Sequence, residues 1–191
     1  MEFIDNFINQ VHPLSDDALS SFKGILINKS MSKNEVFVTA GEYPTKFYLL
    51  KKGIARTYFV DKKGKEHIRS LFTPVTTTGA LVALIKKCPS PSTYDCLTDC
   101  DFIEGDYYKF IELAKSNHEL ALLHVKILEI VFLNVVKRIG ELSTLNATER
   151  YIKIKKEIPD VDNLIPQYHI ASYLNITPVQ LSRIRKELYS K

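Results

Sequence analysis

Hydrophobic and polar positions follow three different rhythms along this chain. In HPLSDDALSSFKGIL, residues 12–26, Leu14, Leu19, Phe22 and Leu26 supply an apolar stripe at helical spacing. Ser15 is a good N-cap, and Asp16 and Asp17 suit a first turn. From about residue 34 the rhythm shortens. NEVFVTAGE and TKFYLLKKGIARTYFVDKKGKEHIRSLF carry short runs of Val, Ile, Phe and Tyr, broken at Gly41, at Gly53 and at the DKKG of 61–64. The runs at 54–60 and 65–72 predict a hairpin across that last turn. CPSPSTYD (88–95) reads as a loop leading into another strand, CDFIEGD (100–106) as the last strand, and DYYKFIELAKS as a short helix after it. Short strands with regular turns predict a small barrel or jelly roll.

The third rhythm is one long helix from Asn117 to about Leu145, free of proline and with Gly140 as its single glycine. It carries two apolar stripes. Leu128, Phe132, Val135, Ile139 and Leu142 step by four and three along one face; Leu120, Leu123, Ile127, Ile130 and Val131 lie on a neighbouring face that Asn134 continues. One stripe can cover the β-domain. The other needs a second partner, and the simplest is the same helix of another copy, with Asn134 setting register in the seam. Burial of both stripes within one chain is the alternative. We assign Leu120, Leu123, Ile127, Ile130, Val131 and Asn134 to the dimer helix.

Beyond it, Asn146 with Glu149 three residues on forms a capping-box pattern, and Pro159 ends the helix. DVDNLI reads as a linker. In PQYHIASYL, Ile170, Ala171 and Leu174 face inward. The turn NIT follows, with Asn175 suited to positive φ. Thr177 is an N-cap, Pro178 stands at N1, and Gln180 completes a second capping box. Leu181, Ile184 and Leu188 then line one face. A small residue such as Ala171 suits two helices crossing steeply over a short turn. The outward face carries Gln180, Ser182, Arg183, Arg185 and Lys186: Gln and Arg fit base edges in a major groove, and Lys, Ser and Thr fit phosphates. The blander alternative is an amphipathic helix with a solvated basic face.

Charge hints at an anionic partner, although taken alone it fits a solvated basic surface better. The net charge is +4, of which residues 146–191 hold +3. No apolar run is long enough to span a bilayer, and MEFIDNFINQ has no basic n-region of a signal peptide, so a cytoplasmic location is expected. Cys88, Cys96 and Cys100 are odd in number and local, which predicts thiols and neither a disulfide framework nor a metal site. The histidines at 12, 67, 118, 124 and 169 lack the spacing of a cupin metal centre, so no enzyme and no cofactor is expected. His124 is expected in the seam or at the surface.

These elements together resemble the Crp/Fnr family of bacterial transcription regulators along nearly the whole chain. The most specific part is NATERYIKIKKEIPDVDNLIPQYHIASYLNITPVQLSRIRKEL, similar to a subgroup of short regulators whose signature ends IASYLGITPETLSRIRKKL. AGEYPTKFYLLKKGIARTYFVDKKGKE resembles the sensor domain of that subgroup. The resemblance implies an α+β fold: a cyclic-nucleotide-binding-like double-stranded β-helix (jelly roll) over 1–116, a dimerisation helix over 117–145 and an all-α helix-turn-helix domain over 146–191. It implies a homodimer on double-stranded DNA and allows RNA polymerase as a further partner. By residue match Gln180 and Arg183 face base edges, while Thr177 and Lys186 sit near phosphates. Many relatives continue into a β-hairpin wing. This sequence stops at Lys191, which implies that wing contacts are missing or replaced.

In ligand-binding members a short cassette after the hairpin supplies a Gly-Glu pair and a later Arg for the ribose and the cyclic phosphate. Here FTPVTTTGALVALIKKCPSPSTYD has Gly79-Ala80 in place of the pair and SPST near the place of the Arg. No Asp or Glu occurs from His67 to Tyr94, and no Arg from Ser70 to Lys137. Lys86 and Lys87 are expected in solvent. Tight binding of cyclic AMP or cyclic GMP is therefore not expected. Thr78, Gly79, Ala80, Leu81 and Thr93 mark the place of a pocket for a less polar effector, or of a short helix packed over the roll. A sensor whose terminal helices contact protein is the alternative function.

Overall fold

The computed structural model describes residues 2–189. The expectation about the wing falls at Lys191, outside the described residues. The elements run α1 (Glu2–Val11), α2 (Asp16–Lys23), β1 (Leu26–Met31), β2 (Val36–Val38), β3 (Lys46–Lys52), β4 (Ala55–Val60), β5 (Glu66–Phe72), β6 (Thr77–Thr78), α3 (Leu81–Lys86), β7 (Thr93–Cys96) and β8 (Cys100–Asp106). Helices α4 (Tyr107–Ser116), α5 (His118–Thr144), α6 (Ala147–Glu157), α7 (Val161–Leu164), α8 (Gln167–Tyr173) and α9 (Pro178–Tyr189) follow. The strands form two antiparallel four-stranded sheets, ordered β1-β8-β3-β6 and β2-β7-β4-β5. They make the two faces of a jelly roll.

Aromatic rings fill the space between the sheets. Phe37 and Tyr48 meet edge-on at 4.9 Å, and Tyr48 meets Phe102 edge-on at 5.6 Å, geometries that suit the ring quadrupole. Burial of the Tyr48 phenol pushes its pKa upward. Cys96 and Cys100 are buried in the same core, and Cys88 packs at its border. Gly53 turns β3 into β4 at φ +93°, and a Cβ there would overlap the Asp99 carbonyl oxygen, so the turn admits only glycine. A second core joins α1, α2, α4 and the first turns of α5 to the outer face of β3 and β8.

The strand pattern, the hairpin and the helix ends follow the sequence; four assignments do not. Helix α1, with Ile4, Phe7 and Ile8 buried, precedes the expected first helix. Leu26, expected on a helix stripe, opens β1 opposite Gly105. That strand lies at a sheet edge with four consecutive exposed residues, so the sequence carries no alternation there. DVDNLI is not a linker: it contains α7, whose Val161 is fully buried. Leu120 and Leu123 are fully buried inside their own chain, against Phe7, Phe22 and Phe110. They are therefore unavailable to another copy, because the start of α5 lies flat on the roll before the helix projects from it.

Val75 has φ +69° in the turn Thr73–Thr76, closed by the Thr76 N–H donating to the Thr73 carbonyl at 3.2 Å. With Pro74 before it, Val75 stands where a type II turn favours glycine, and a β-branched residue there is strained. Half its surface is exposed, so little packing opposes a change. Replacing it (Val75→Gly) is expected to raise stability by about 0.5–1 kcal/mol, the strain relieved outweighing the extra chain entropy of glycine, as denaturant unfolding will show.

Candidate nucleic-acid interface

The terminal helices are built as their sequence dictates. Asn175 takes φ +54° between α8 and α9. Gln180 N–H donates to Thr177 Oγ1 at 3.2 Å, and the Gln180 amide oxygen accepts from Thr177 N–H at 2.8 Å and from its hydroxyl at 3.1 Å. The capping box is closed in both directions. Ala171 is fully buried where the helices cross, beneath Leu181 and beside Ile170 and Leu174. Leu188, expected on that inner face, stays about a third exposed near the helix end.

Opposite the buried face, α9 presents Val179, Ser182, Arg183 and Lys186, all exposed. Two expected members sit off its centre. Arg185 lies one residue beyond buried Ile184, so at about 100° per residue it points toward the flank. Its Nε lies 3.8 Å from Asp162 of α7, so this side chain braces the domain and does not stand free. Gln180 spends its amide oxygen on the cap, which leaves its NH2 donors for a partner. Val179, 62% exposed, belongs to this face although its apolar type carries no polar signature in the sequence. Its signal was the helical position alone, and an apolar side chain there suits a thymine methyl. Asp162 also accepts from Tyr151 Oη at 2.8 Å and Lys155 Nζ at 2.9 Å. Burial opposes its charge, yet those donors hold its pKa below the usual carboxylate range.

Helix α8 is fixed to the roll. Arg56 of β4 is almost fully buried and donates to both Asp95 oxygens, at 2.7 and 2.8 Å, and to Glu66 at 2.6 Å. Its guanidinium stacks 4.1 Å from the Tyr58 ring centroid and donates to His169 Nδ1 at 2.9 Å. Because an arginine can only donate, that imidazole nitrogen accepts. One turn later Ser172 Oγ accepts from Ile68 N–H at 3.0 Å and donates to the Glu66 carbonyl at 3.1 Å. The edge strand β5 thus meets a serine where a further strand would pair. At the other end of α8, Arg138 donates to the Tyr173 carbonyl and stacks on its ring, and Arg150 donates to the Leu174 carbonyl at 3.1 Å. These cations satisfy the free carbonyls of the helix end.

A cavity of about 1120 Å³ runs between β5, the segment before α3, helix α5 and the end of α8. Thr78, Gly79, Ala80 and Leu81 line it as expected. Thr93 does not: it lies on β7 and accepts from Ala40 N–H at 3.2 Å. TTTGALVALI both forms a short helix and borders the cavity, so its two readings were not exclusive. Lys86 and Lys87 are exposed. Arg69, one residue before the arginine-free stretch, also lines the cavity and donates to Tyr94 Oη at 3.0 Å. His124 packs edge-on against Phe110 and Tyr107, and burial pushes its pKa down.

This architecture defines a class: a β-roll of the cyclic nucleotide-binding type that carries a long helix and a terminal helical unit. Residues 28–117 match the family model described as Cyclic nucleotide-binding domain. No curated protein matches the sequence. Among solved structures, a protein described as a regulator of the Crp/Fnr family from Eubacterium rectale is similar at TM-score 0.71 and 16% identity, over 90% of this chain and 82% of that one. FixK2 from Bradyrhizobium japonicum is similar at 0.69 and 16%, over 87% and 85%. The c-di-GMP responsive global regulator CLP of Xanthomonas campestris is similar at 0.68 and 13%, over 92% of both chains. The chain has the fold of the Crp/Fnr regulators.

Burial and the facing Arg56 push the His169 pKa down to about 4, with Lys33 adding to the effect and Glu66 and Asp95 opposing it. Below pH 6.5 an unfolded chain's imidazole takes a proton that the folded one refuses until about pH 4. Stability therefore rises with pH across that window and is lost on acidification. The thermal midpoint is expected to fall from pH 6.5 to 4, and to fall less in His169→Gln, which keeps an acceptor and cannot titrate. Equal slopes in calorimetric scans of the two proteins would contradict this.

Proposed function

We propose that the chain is a homodimeric DNA-binding transcription regulator of the Crp/Fnr type whose roll does without cyclic AMP. The observation that carries this reading is the outward face of α9. Val179, Ser182, Arg183 and Lys186 stand exposed on a helix whose start is capped on both sides and whose inner face is locked by Ala171, Leu181 and Ile184. Such a face fits a major groove, with Arg183 toward guanine and Lys186 and Thr177 toward phosphates. The roll lacks an acidic side chain from His67 to Tyr94, so the cassette has no carboxylate to accept from a ribose hydroxyl.

The second half of α5 supports the dimer. Phe132 is 65% exposed, Leu133 63% and Ile139 59%, with Val135 and Leu142 beside them. An apolar helix of this length left in water is a strong sign of a partner. The seam we propose is thus the stripe Leu128, Phe132, Val135, Ile139 and Leu142. Of the residues first assigned to it, Val131 borders this stripe, whereas Ile130 and Asn134, at about 100° per residue, point away from it. A second α5 would place two α9 helices on a two-fold symmetric site with half-sites about 34 Å apart.

Selection of duplexes from a random pool tests the reading, run with and without cyclic AMP. Both pools are expected to yield the same two-fold symmetric motif; a flat result ends the proposal. Arg183→Ala is expected to cost about 1–3 kcal/mol on the selected site and little on random duplex. Equal losses on both would remove its base-reading role.

The double replacement Phe132→Asp with Ile139→Asp is expected to convert dimer to monomer in sedimentation and to weaken specific binding at least tenfold. Both side chains lie outside the described cores, so circular dichroism should not change.

A further inference from the structure

The turn between β4 and β5, Asp61-Lys62-Lys63-Gly64-Lys65, is built rigidly. Asp61 Oδ1 accepts from the N–H groups of Lys63 at 2.8 Å and Lys65 at 3.0 Å, and its Oδ2 meets His67 Nε2 at 2.9 Å. The His67 bond, then the two N–H bonds, hold the Asp61 carboxyl below its ordinary pKa. Gly64 takes φ +79° as the turn requires, and its N–H donates to the Asp61 carbonyl at 3.0 Å. Glu66, the next carboxylate, is spent on Arg56. Lys62, Lys63 and Lys65 are all exposed, and none forms an ion pair among the described residues. Three cations thus project from one turn whose two flanking carboxylates face other partners.

The position of this turn brings the charge near α9. Lys65 is adjacent to Glu66, whose carbonyl accepts from Ser172 of α8. The turn is therefore tied to the helix that carries α9. From Ser172 to Thr177, where α9 begins, the chain spans at most about 18 Å. Turn and α9 both fit within one helical turn of duplex, about 34 Å long. Fixed cations at that separation from a base-reading helix match a phosphate backbone, which asks for charge and not for shape.

We propose that the β4–β5 turn is a second DNA contact, in which Lys62, Lys63 and Lys65 grip backbone phosphates flanking the sequence that α9 reads. The proposal rests on the DNA-binding reading above. Contact through a roll hairpin enlarges the footprint and adds affinity without adding base discrimination. It acts only while α8 stays joined to β5, so it ties non-specific grip to the docked arrangement.

The test uses the full-length protein and the duplex recovered from the random pool, made in two lengths: the symmetric motif alone, and the motif extended by about one helical turn on each side. The triple variant Lys62→Ala, Lys63→Ala, Lys65→Ala is expected to bind the longer duplex at least about tenfold more weakly, with the salt slope of its binding constant reduced by at least about 2. On the motif alone it should match the wild type. The variant with all three changed to Arg should restore both values, which a shape-dependent role would not allow. Unchanged circular dichroism and unfolding midpoint are expected, because these side chains are exposed. An unchanged slope on the longer duplex overturns the proposal and leaves the turn to an acidic protein surface. Equal loss on both lengths overturns the flanking position. A wild type that selects no duplex at all overturns this inference together with the reading beneath it, whereas normal wild-type binding with an indifferent variant overturns this inference alone.

Discussion

The buried guanidinium of Arg56 is the interaction on which the arrangement of this molecule depends. A charge that deep is tolerated only when its donors are matched, and here Asp95, Glu66, the Tyr58 ring and His169 match them. Three of those partners belong to the roll and were needed anyway. The fourth comes from α8 and closes the cluster only when the terminal helices are docked. Undocking would expose a desolvated imidazole acceptor and free one Arg56 donor, and Ser172 would leave the β5 edge with an unpaired N–H and carbonyl. Losing a hydrogen bond to a charged group typically costs about 1.5–3 kcal/mol, whereas a surface ion pair is worth less than about 1. The many exposed pairs, such as Lys115 with Glu112 and Lys126 with Glu129, therefore do not decide the arrangement.

Helix α5 distributes its apolar surface according to what lies beside it. Its first turns are spent on the roll core, where Leu120 and Leu123 are fully buried. Arg138 and Glu141, near its end, are spent on α8 and α6 through Tyr173 and Lys153. What remains is the stretch between, apolar and exposed. Each large side chain left exposed there forgoes about 1.5–3 kcal/mol of burial. The same element thus anchors the roll, brackets the terminal helices and leaves an apolar stretch exposed between them.

Much of this was legible in the sequence because the signals were local. Capping boxes at Asn146 and Thr177, the left-handed Asn175 and the β4–β5 turn all depend on residues within four positions of one another, and all stand as read. What could not be read was set by partners distant in the chain. The polar edge strand β1 is a strand because β8 pairs with it, and α7 is helical because Val161 fills a core shared with Tyr151 and Ile170. Both stripes of α5 were visible. Their assignment was not, because nothing in the helix itself says where the roll ends. Arg185 was counted as free from its type and would have been set aside from its angle to Ile184. His169 looked like one scattered histidine until the fold brought Arg56, more than a hundred residues earlier, against it.

The shared strand β5 has a consequence for how the two halves communicate. One side of the large cavity is β5 itself, and its lining also includes Ser172 and Tyr173 of α8 and Arg138 of α5. Ser172 is the residue that caps the β5 edge, and Arg138 is the one that holds the carbonyl of Tyr173. Coupling between cavity and terminal helices therefore needs no long path through the core: the walls of one are the fastenings of the other. A molecule in the cavity biases the docking of α8 only by the difference in its contacts between docked and released states. The charged groups that could supply such a difference are Arg69 of β5 with Lys137, Arg138 and Glu141 of α5 and Glu157 of α6, beside threonines and apolar surface. The cavity and α9 are thus joined through β5 and α8 by packing and hydrogen bonds, with Ser172 and Arg138 common to the cavity lining and to the fastening of α8.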